Sequence, residues 1–125
     1  MYSQGTREGF SDFKKVVTAL NTRFSNKTLW MKISEIARYW AARELTAIKR
    51  TSAGIDLEAP FACDAFTLRI KSKRAETPEV TSGGKARVLS EVRQASELVP
   101  GSWLRQKEAL TLCFDLPKGK STLEV

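Results

Sequence analysis

The chain has 125 residues, a formal net charge of +7 and no histidine. Imidazole is the commonest metal ligand and the commonest acid or base at neutral pH, so the composition argues against histidine-dependent chemistry within these residues. With 42% hydrophobic residues a packed core is expected, and no apolar run reaches the roughly 18 residues that a transmembrane helix needs. The positive charge is spread over the whole chain, which is typical of a solvated surface; an anionic partner is the alternative.

The first 44 residues show helical periodicity on both sides of a short apolar run. Apolar residues recur at helical spacing over residues 10–24, with Ser11 as the expected N-cap. The run at 29–33 predicts a short strand buried on both faces, and Ser34 is expected to cap a second helix that ends near Arg43. Because one strand cannot form a sheet, its partners are expected elsewhere in the sequence or in another chain.

From Leu45 the hydrophobic period changes to two, and Gly, Pro and Ser turns separate the apolar segments. Residues 86–92 fit either a strand or a helix, and the context favours a strand; residues 77–84 are expected to be a turn region. Strands are predicted over residues 45–50, 54–58, 66–71, 102–104, 109–114 and 121–125, the last at a sheet edge. The sequence therefore predicts an α+β fold, in which a helix-strand-helix segment precedes a small antiparallel β-sandwich.

Cys63 and Cys113 each lie among apolar neighbours. Burial of two free thiols is the simplest interpretation, since free cysteine is among the most buried residue types. A disulfide between facing strands is the alternative, and the sequence leaves it open. A zinc site is disfavoured, because two cysteines without a histidine leave the ligand set incomplete.

Few residues are candidates for chemistry or binding. The spacing of Ser11 and Lys14 is better explained by a helix start than by a lysine-activated serine, and no pair of carboxylates is singled out for glycoside hydrolysis. We therefore predict no catalytic residue and no metal ligand. The substrate-binding candidates are Trp103, which could stack on a sugar ring or cover the core, and a basic stripe that could hold a polyanion or form a solvated outer face. That stripe consists of Arg69, Lys71 and Lys73.

One stretch resembles a known family. Residues 29–40, Leu-Trp-Met-Lys-Ile-Ser-Glu-Ile-Ala-Arg-Tyr-Trp, are similar to the closing segment of polysaccharide deacetylases of the NodB-homology class, in which an aromatic-rich strand leads into a helix with Glu-Ile-Ala and an aromatic pair. The resemblance implies that residues 1–44 are the last α-β-α piece of a deacetylase-type α/β barrel. Residues 45–125 would then form an accessory β-sandwich, which follows the barrel in some relatives.

The resemblance also implies a function for a longer parent protein. Such an enzyme is a hydrolase that removes N- or O-acyl groups from a carbohydrate by means of a divalent metal and a metal-activated water. Its metal ligands include two histidines, so none of its metal or catalytic residues can be assigned to this chain. The expected partners are the catalytic barrel of the parent chain and a polysaccharide; a nucleic acid is disfavoured, no membrane span is expected, and the compartment is left open.

Two alternatives remain open at this stage. The chain could be a self-contained basic module that binds an anionic polysaccharide or a nucleic acid through the stripe of Arg69, Lys71 and Lys73. It could also be a structural interaction domain without a ligand of its own.

Overall fold

Two helices precede the strands in the computed structural model, which describes residues 6–72 and 76–125. The chain divides into two compact units, Met1–Met31 and Lys32–Val125. Helix α1 (Thr6–Phe24) lies in the first unit, and helix α2 (Ile33–Leu45) opens the second. Neither described helix combines the length and the apolar character needed to cross a membrane.

Helix α1 begins earlier than predicted and ends where predicted. Because it starts at Thr6, Ser11 lies inside the helix, and its prediction as the N-cap is wrong. The helix ends at Phe24, whose carbonyl oxygen accepts hydrogen bonds from the N–H groups of Lys27 (2.8 Å) and Thr28 (2.9 Å) and from the Thr28 hydroxyl (2.9 Å). These bonds satisfy a carbonyl that a helix end otherwise leaves without a partner.

The strand predicted at residues 29–33 is not formed. Residues 29–32 adopt no regular structure, and Ile33 already belongs to α2. The Glu35 carboxylate accepts a hydrogen bond from the N–H of Lys32 at 2.8 Å, so the N-cap is Lys32, two residues before the predicted cap at Ser34. A strand needs a neighbour for its hydrogen bonds, and no described segment pairs with this run.

The described residues after α2 form two sheets. Their strands are β1 (Ala47–Arg50), β2 (Ile55–Ala59), β3 (Cys63–Lys71), β4 (Glu79–Ser82), β5 (Lys85–Val88), β6 (Ser90–Val92), β7 (Ser102–Gln106), β8 (Ala109–Leu116) and β9 (Gly119–Glu124). The first sheet has the order β1-β2-β9-β4-β5 and the second β3-β8-β7-β6. All pairs are antiparallel except β6 with β7. The predicted α+β fold with a small sandwich is confirmed.

Three details of the sheets differ from the sequence prediction. Strand β4 occupies part of the predicted turn region at 77–84. Strand β9 lies between β2 and β4, so its prediction as an edge strand is wrong. The segment 86–92 is extended, as favoured, but it changes sheets at Leu89, which is buried and donates its N–H to the carbonyl of Pro78 at 3.0 Å. The chain passes from one sheet to the other through this single residue, and the alternation of side chains does not reveal such a crossing.

Alternating apolar side chains from both sheets form the core between them. The largest fully buried leucines are Leu57, Leu110, Leu112, Leu116 and Leu123. Aromatic contacts connect α2 to this core: the rings of Tyr39 and Phe66 lie 6.3 Å apart, and those of Phe66 and Phe114 lie 6.0 Å apart at 62°. Helix α2 is thus part of the sandwich unit, with Ala42 also buried against it. The division of 1–44 from 45–125 concerns a longer protein and stays a prediction.

Candidate functional site

The basic stripe predicted on β3 is partly within the described residues. Arg69 and Lys71 are exposed, and the buried Ile70 between them points to the core, so both cations project from the outer face of their sheet. The third member of the predicted stripe, Lys73, lies outside the described residues. The two described members stand side by side at the end of β3.

Trp103 is part of the core. Its side chain is 4% exposed, and it lies opposite Leu112 in the register of β7 and β8. The Arg105 guanidinium carbon lies 5.3 Å from the centre of the ring, in the range of a cation–π contact. The indole N–H has no hydrogen-bond partner among the described residues. In this structure the ring offers no open face on which a sugar could stack.

Sheet pairing adds two cations that the sequence analysis did not single out. Lys107, in the turn between β7 and β8, lines one shallow depression together with Arg69 and Lys71. Arg50, at the end of β1, lines an adjoining depression with Lys71 and donates a hydrogen bond from Nη2 to the Lys71 carbonyl at 3.4 Å. We call these four residues (Arg50, Arg69, Lys71 and Lys107) the basic end of the sandwich. Glu108 is the acidic side chain that lines the first depression.

Helix α2 has apolar side chains on two opposite sides. Tyr39 and Ala42 face the sandwich core. Ile33, Ile36 and Trp40, which the spacing places together on the other side, are 85%, 49% and 64% exposed. These three side chains therefore point away from the sandwich. We call these three residues the outer face of α2.

A cavity of about 580 Å³ opens at the end of the sandwich opposite the basic end. Two carboxylates, Asp64 and Asp115, and the guanidinium of Arg87 line it over an apolar floor. Asp115 Oδ1 accepts a hydrogen bond from the N–H of Ala65 at 2.9 Å. Ala65 interrupts the pairing of β3 with β8 and has a φ of 51°. Asp115 thus stabilises this irregular backbone, which accounts for one of the two carboxylates.

Cys63 and Cys113 are buried free thiols. Cys63 pairs in register with Leu116 and belongs to the core, whereas Cys113 lies between the core residues Leu112 and Phe114 in β8 and points to the other side of the sheet. Burial raises the pKa of both thiols above the ordinary value of 9.0, and the charge of Asp64 adds to the rise at Cys63. A raised thiol pKa opposes formation of the nucleophilic thiolate at neutral pH.

The described residues bring no three His, Cys, Asp or Glu side chains together in a group that could hold a metal ion. Comparisons of the chain with known protein families, with curated proteins and with solved structures found no match. The outer face of α2 and the basic end are therefore the two candidate interaction surfaces of the described residues.

Proposed function

We propose that this chain is the non-catalytic C-terminal part of a polysaccharide-deacetylase-like carbohydrate esterase. In this proposal α2 lies between two bodies: the sandwich on one side and the catalytic barrel of the longer chain on the other. The sandwich acts as an accessory domain that stabilises the end of the barrel. The barrel carries the deacylation of the glycan.

The outer face of α2 is the observation that carries this proposal. A helix that is apolar on both sides is normally buried on both sides, and Ile33, Ile36 and Trp40 remain exposed although the sandwich covers Tyr39. Contiguous apolar side chains of this kind mark an interaction site. The same residues carry the resemblance to the closing segment of the deacetylase barrel.

The family's metal would have to be bound outside this chain. The family uses two histidines as ligands, and the chain contains none. The acidic residues around the end cavity do not replace them, because Asp115 already accepts the N–H of Ala65. The residues present therefore do not fit the metal, and no catalytic step is assigned to them.

The first test is the natural gene product that contains this chain. We expect an upstream region with an Asp-Asp motif and a His-x-x-x-His motif, and we expect the purified natural protein to release acetate from acetylated chitin oligosaccharides or acetylated xylan. A natural protein without those motifs, or one that releases no acetate from either substrate with a divalent metal supplied, would show the proposal to be wrong.

The second test asks whether the outer face of α2 docks on the remainder of the parent. Ile36→Glu introduces a charge on that face, and Val88→Glu introduces the same charge at another exposed apolar residue, on β5. In residues 1–125 alone, both substitutions should leave the melting temperature nearly unchanged, because both side chains are exposed. In the natural longer protein, only Ile36→Glu should lower it, by about 5 °C or more. Equal effects of the two variants in the longer protein would contradict docking through α2.

A further inference from the structure

We propose that the basic end binds an anionic polysaccharide, one that carries carboxylate or sulfate groups. The surface is built from residues of this chain alone, so the inference stands whether or not the parent is a deacetylase. It assigns a ligand-binding role to the sandwich itself.

The basic end carries an excess of positive charge, because four cations and the carboxylate of Glu108 line its two depressions. Arg50, Arg69, Lys71 and Lys107 come from three separate segments and meet around two adjoining depressions that share Lys71. The ion pairs among the described residues are Lys15–Asp12 and Arg43–Glu44, and neither involves the basic end. Grouped cations of one sign repel each other and attract a ligand of opposite sign. A polyanion would relieve that repulsion.

Several of the side chains between the cations are polar and uncharged. Hydroxyl and amide side chains (Thr51, Ser52, Ser72 and Gln106) line the same depressions. Such groups can donate and accept hydrogen bonds with the hydroxyls of a sugar. Guanidinium groups are planar forks that match a carboxylate or sulfate oxygen pair. The set suits a ligand that is both anionic and rich in hydroxyl groups.

The same lining argues against a single-stranded nucleic acid as the ligand. Single-stranded nucleic acids are held largely by stacking of bases on aromatic side chains, and none of the described residues that line either depression is aromatic. Trp103, the tryptophan of the neighbouring strand, is buried in the core. We therefore favour a polysaccharide, with nucleic acid as an outcome of the test.

Lys107 supports a role at this surface through its backbone. Its φ of 54° lies in the left-handed region, which a side chain with a Cβ rarely adopts. Glycine would fit such a turn with less strain. A strained lysine at the tip of the hairpin places a cation beside Arg69 and Lys71 where glycine would place none.

The test compares two pairs of lysines on the full 125-residue chain. Lys71→Gln/Lys107→Gln removes two charges from the basic end. The matched control Lys85→Gln/Lys118→Gln removes two exposed charges near the other end of the sandwich, so both variants keep the same net charge. The probes are polygalacturonate and heparin, with neutral dextran, a DNA duplex and a DNA single strand for comparison. Binding is measured by calorimetry at about 50 mM and about 150 mM salt.

We expect polygalacturonate or heparin to bind more tightly than either DNA and dextran not to bind. The double substitution at the basic end should weaken polysaccharide binding about tenfold and reduce its dependence on salt. The control double substitution should change the affinity by less than about threefold. Equal weakening by the two double variants would show that binding depends only on the net charge of the protein, and it would overturn the proposal. Tighter binding of DNA, or no binding of either polysaccharide at the lower salt, would overturn it too.

Discussion

Truncation of two neighbouring aromatic residues on α2 should change the stability of the protein by very different amounts. Tyr39 is partly buried against the core and its ring contacts Phe66, whereas Trp40 is 64% exposed on the outer face of the helix. An aromatic pair contributes about 0.5–1.5 kcal/mol beyond its buried area. Burial of part of the Tyr39 ring adds about 1–2 kcal/mol. Tyr39→Ala should therefore lower the free energy of unfolding by about 2 kcal/mol, and Trp40→Ala should change it by less than about 0.5 kcal/mol.

The two variants control for each other, because alanine replaces an aromatic residue of similar helix propensity in both. Thermal unfolding is followed by far-UV circular dichroism, because Trp40→Ala removes a tryptophan and would change a fluorescence signal. We expect a decrease of about 10 °C in the melting temperature for Tyr39→Ala and almost none for Trp40→Ala. A larger decrease for Trp40→Ala would refute the orientation of α2, since the helix would then pack through its outer face.

Three further outcomes follow from the close packing of the sandwich. A Cβ at Gly54 would overlap the carbonyl oxygen of Leu123 on β9 whereas one at Gly83 has open space, so Gly54→Ala should reduce the denaturation midpoint in urea more than Gly83→Ala. The thiols of Cys63 and Cys113 are buried, so they should react with a thiol reagent at about pH 8 only after denaturation; rapid reaction of the native protein would contradict their burial. Because the folded protein raises the pKa of both thiols above 9.0, it holds more protons than the unfolded chain at alkaline pH. The free energy of unfolding should therefore fall as the pH rises above 9.0, and Cys63→Ser/Cys113→Ser should make that dependence shallower.

The parts of the fold that could be predicted are those with strong local patterns. The apolar alternation around Ile70 identified β3, and the apolar run at 109–114 identified β8. The strands predicted over residues 45–50 and 54–58 correspond to β1 and β2, which form the first hairpin with Arg50 opposite Ile55. In each case the signal lies within a few residues, because a half-buried strand repeats its pattern every two positions.

The parts that the sequence could not supply depend on contacts between distant segments. Residues 29–33 have the composition of a buried strand, but a strand exists only where another one pairs with it. Strand β4 was not predicted, because Pro78 and the Gly83-Gly84 pair indicate a turn on either side of it. The strand at 121–125 was predicted at a sheet edge, yet β9 lies inside its sheet because it pairs with both β2 and β4.

The same limit applies to the candidate surfaces. Arg69 and Lys71 were predicted as neighbours because they alternate within one strand. Arg50 and Lys107 could not be added, since they reach the basic end only through the pairing of the strands and the meeting of the two sheets. For α2 a signal was present: Tyr39 and Ala42 are apolar or aromatic residues that do not belong to its outer face, as expected for a helix with two covered sides.

Strand β3 connects the two proposed surfaces and explains how both could be used together. Phe66, near the beginning of β3, contacts the ring of Tyr39 on α2. Lys71, the last residue of β3, belongs to the basic end. Five residues of extended chain separate these points by about 17 Å. A partner that covers the outer face of α2 would thus leave the basic end open to a polysaccharide. Because sites this far apart are usually energetically independent, loss of charge at Lys71 should weaken ligand binding without loosening the contact made by α2.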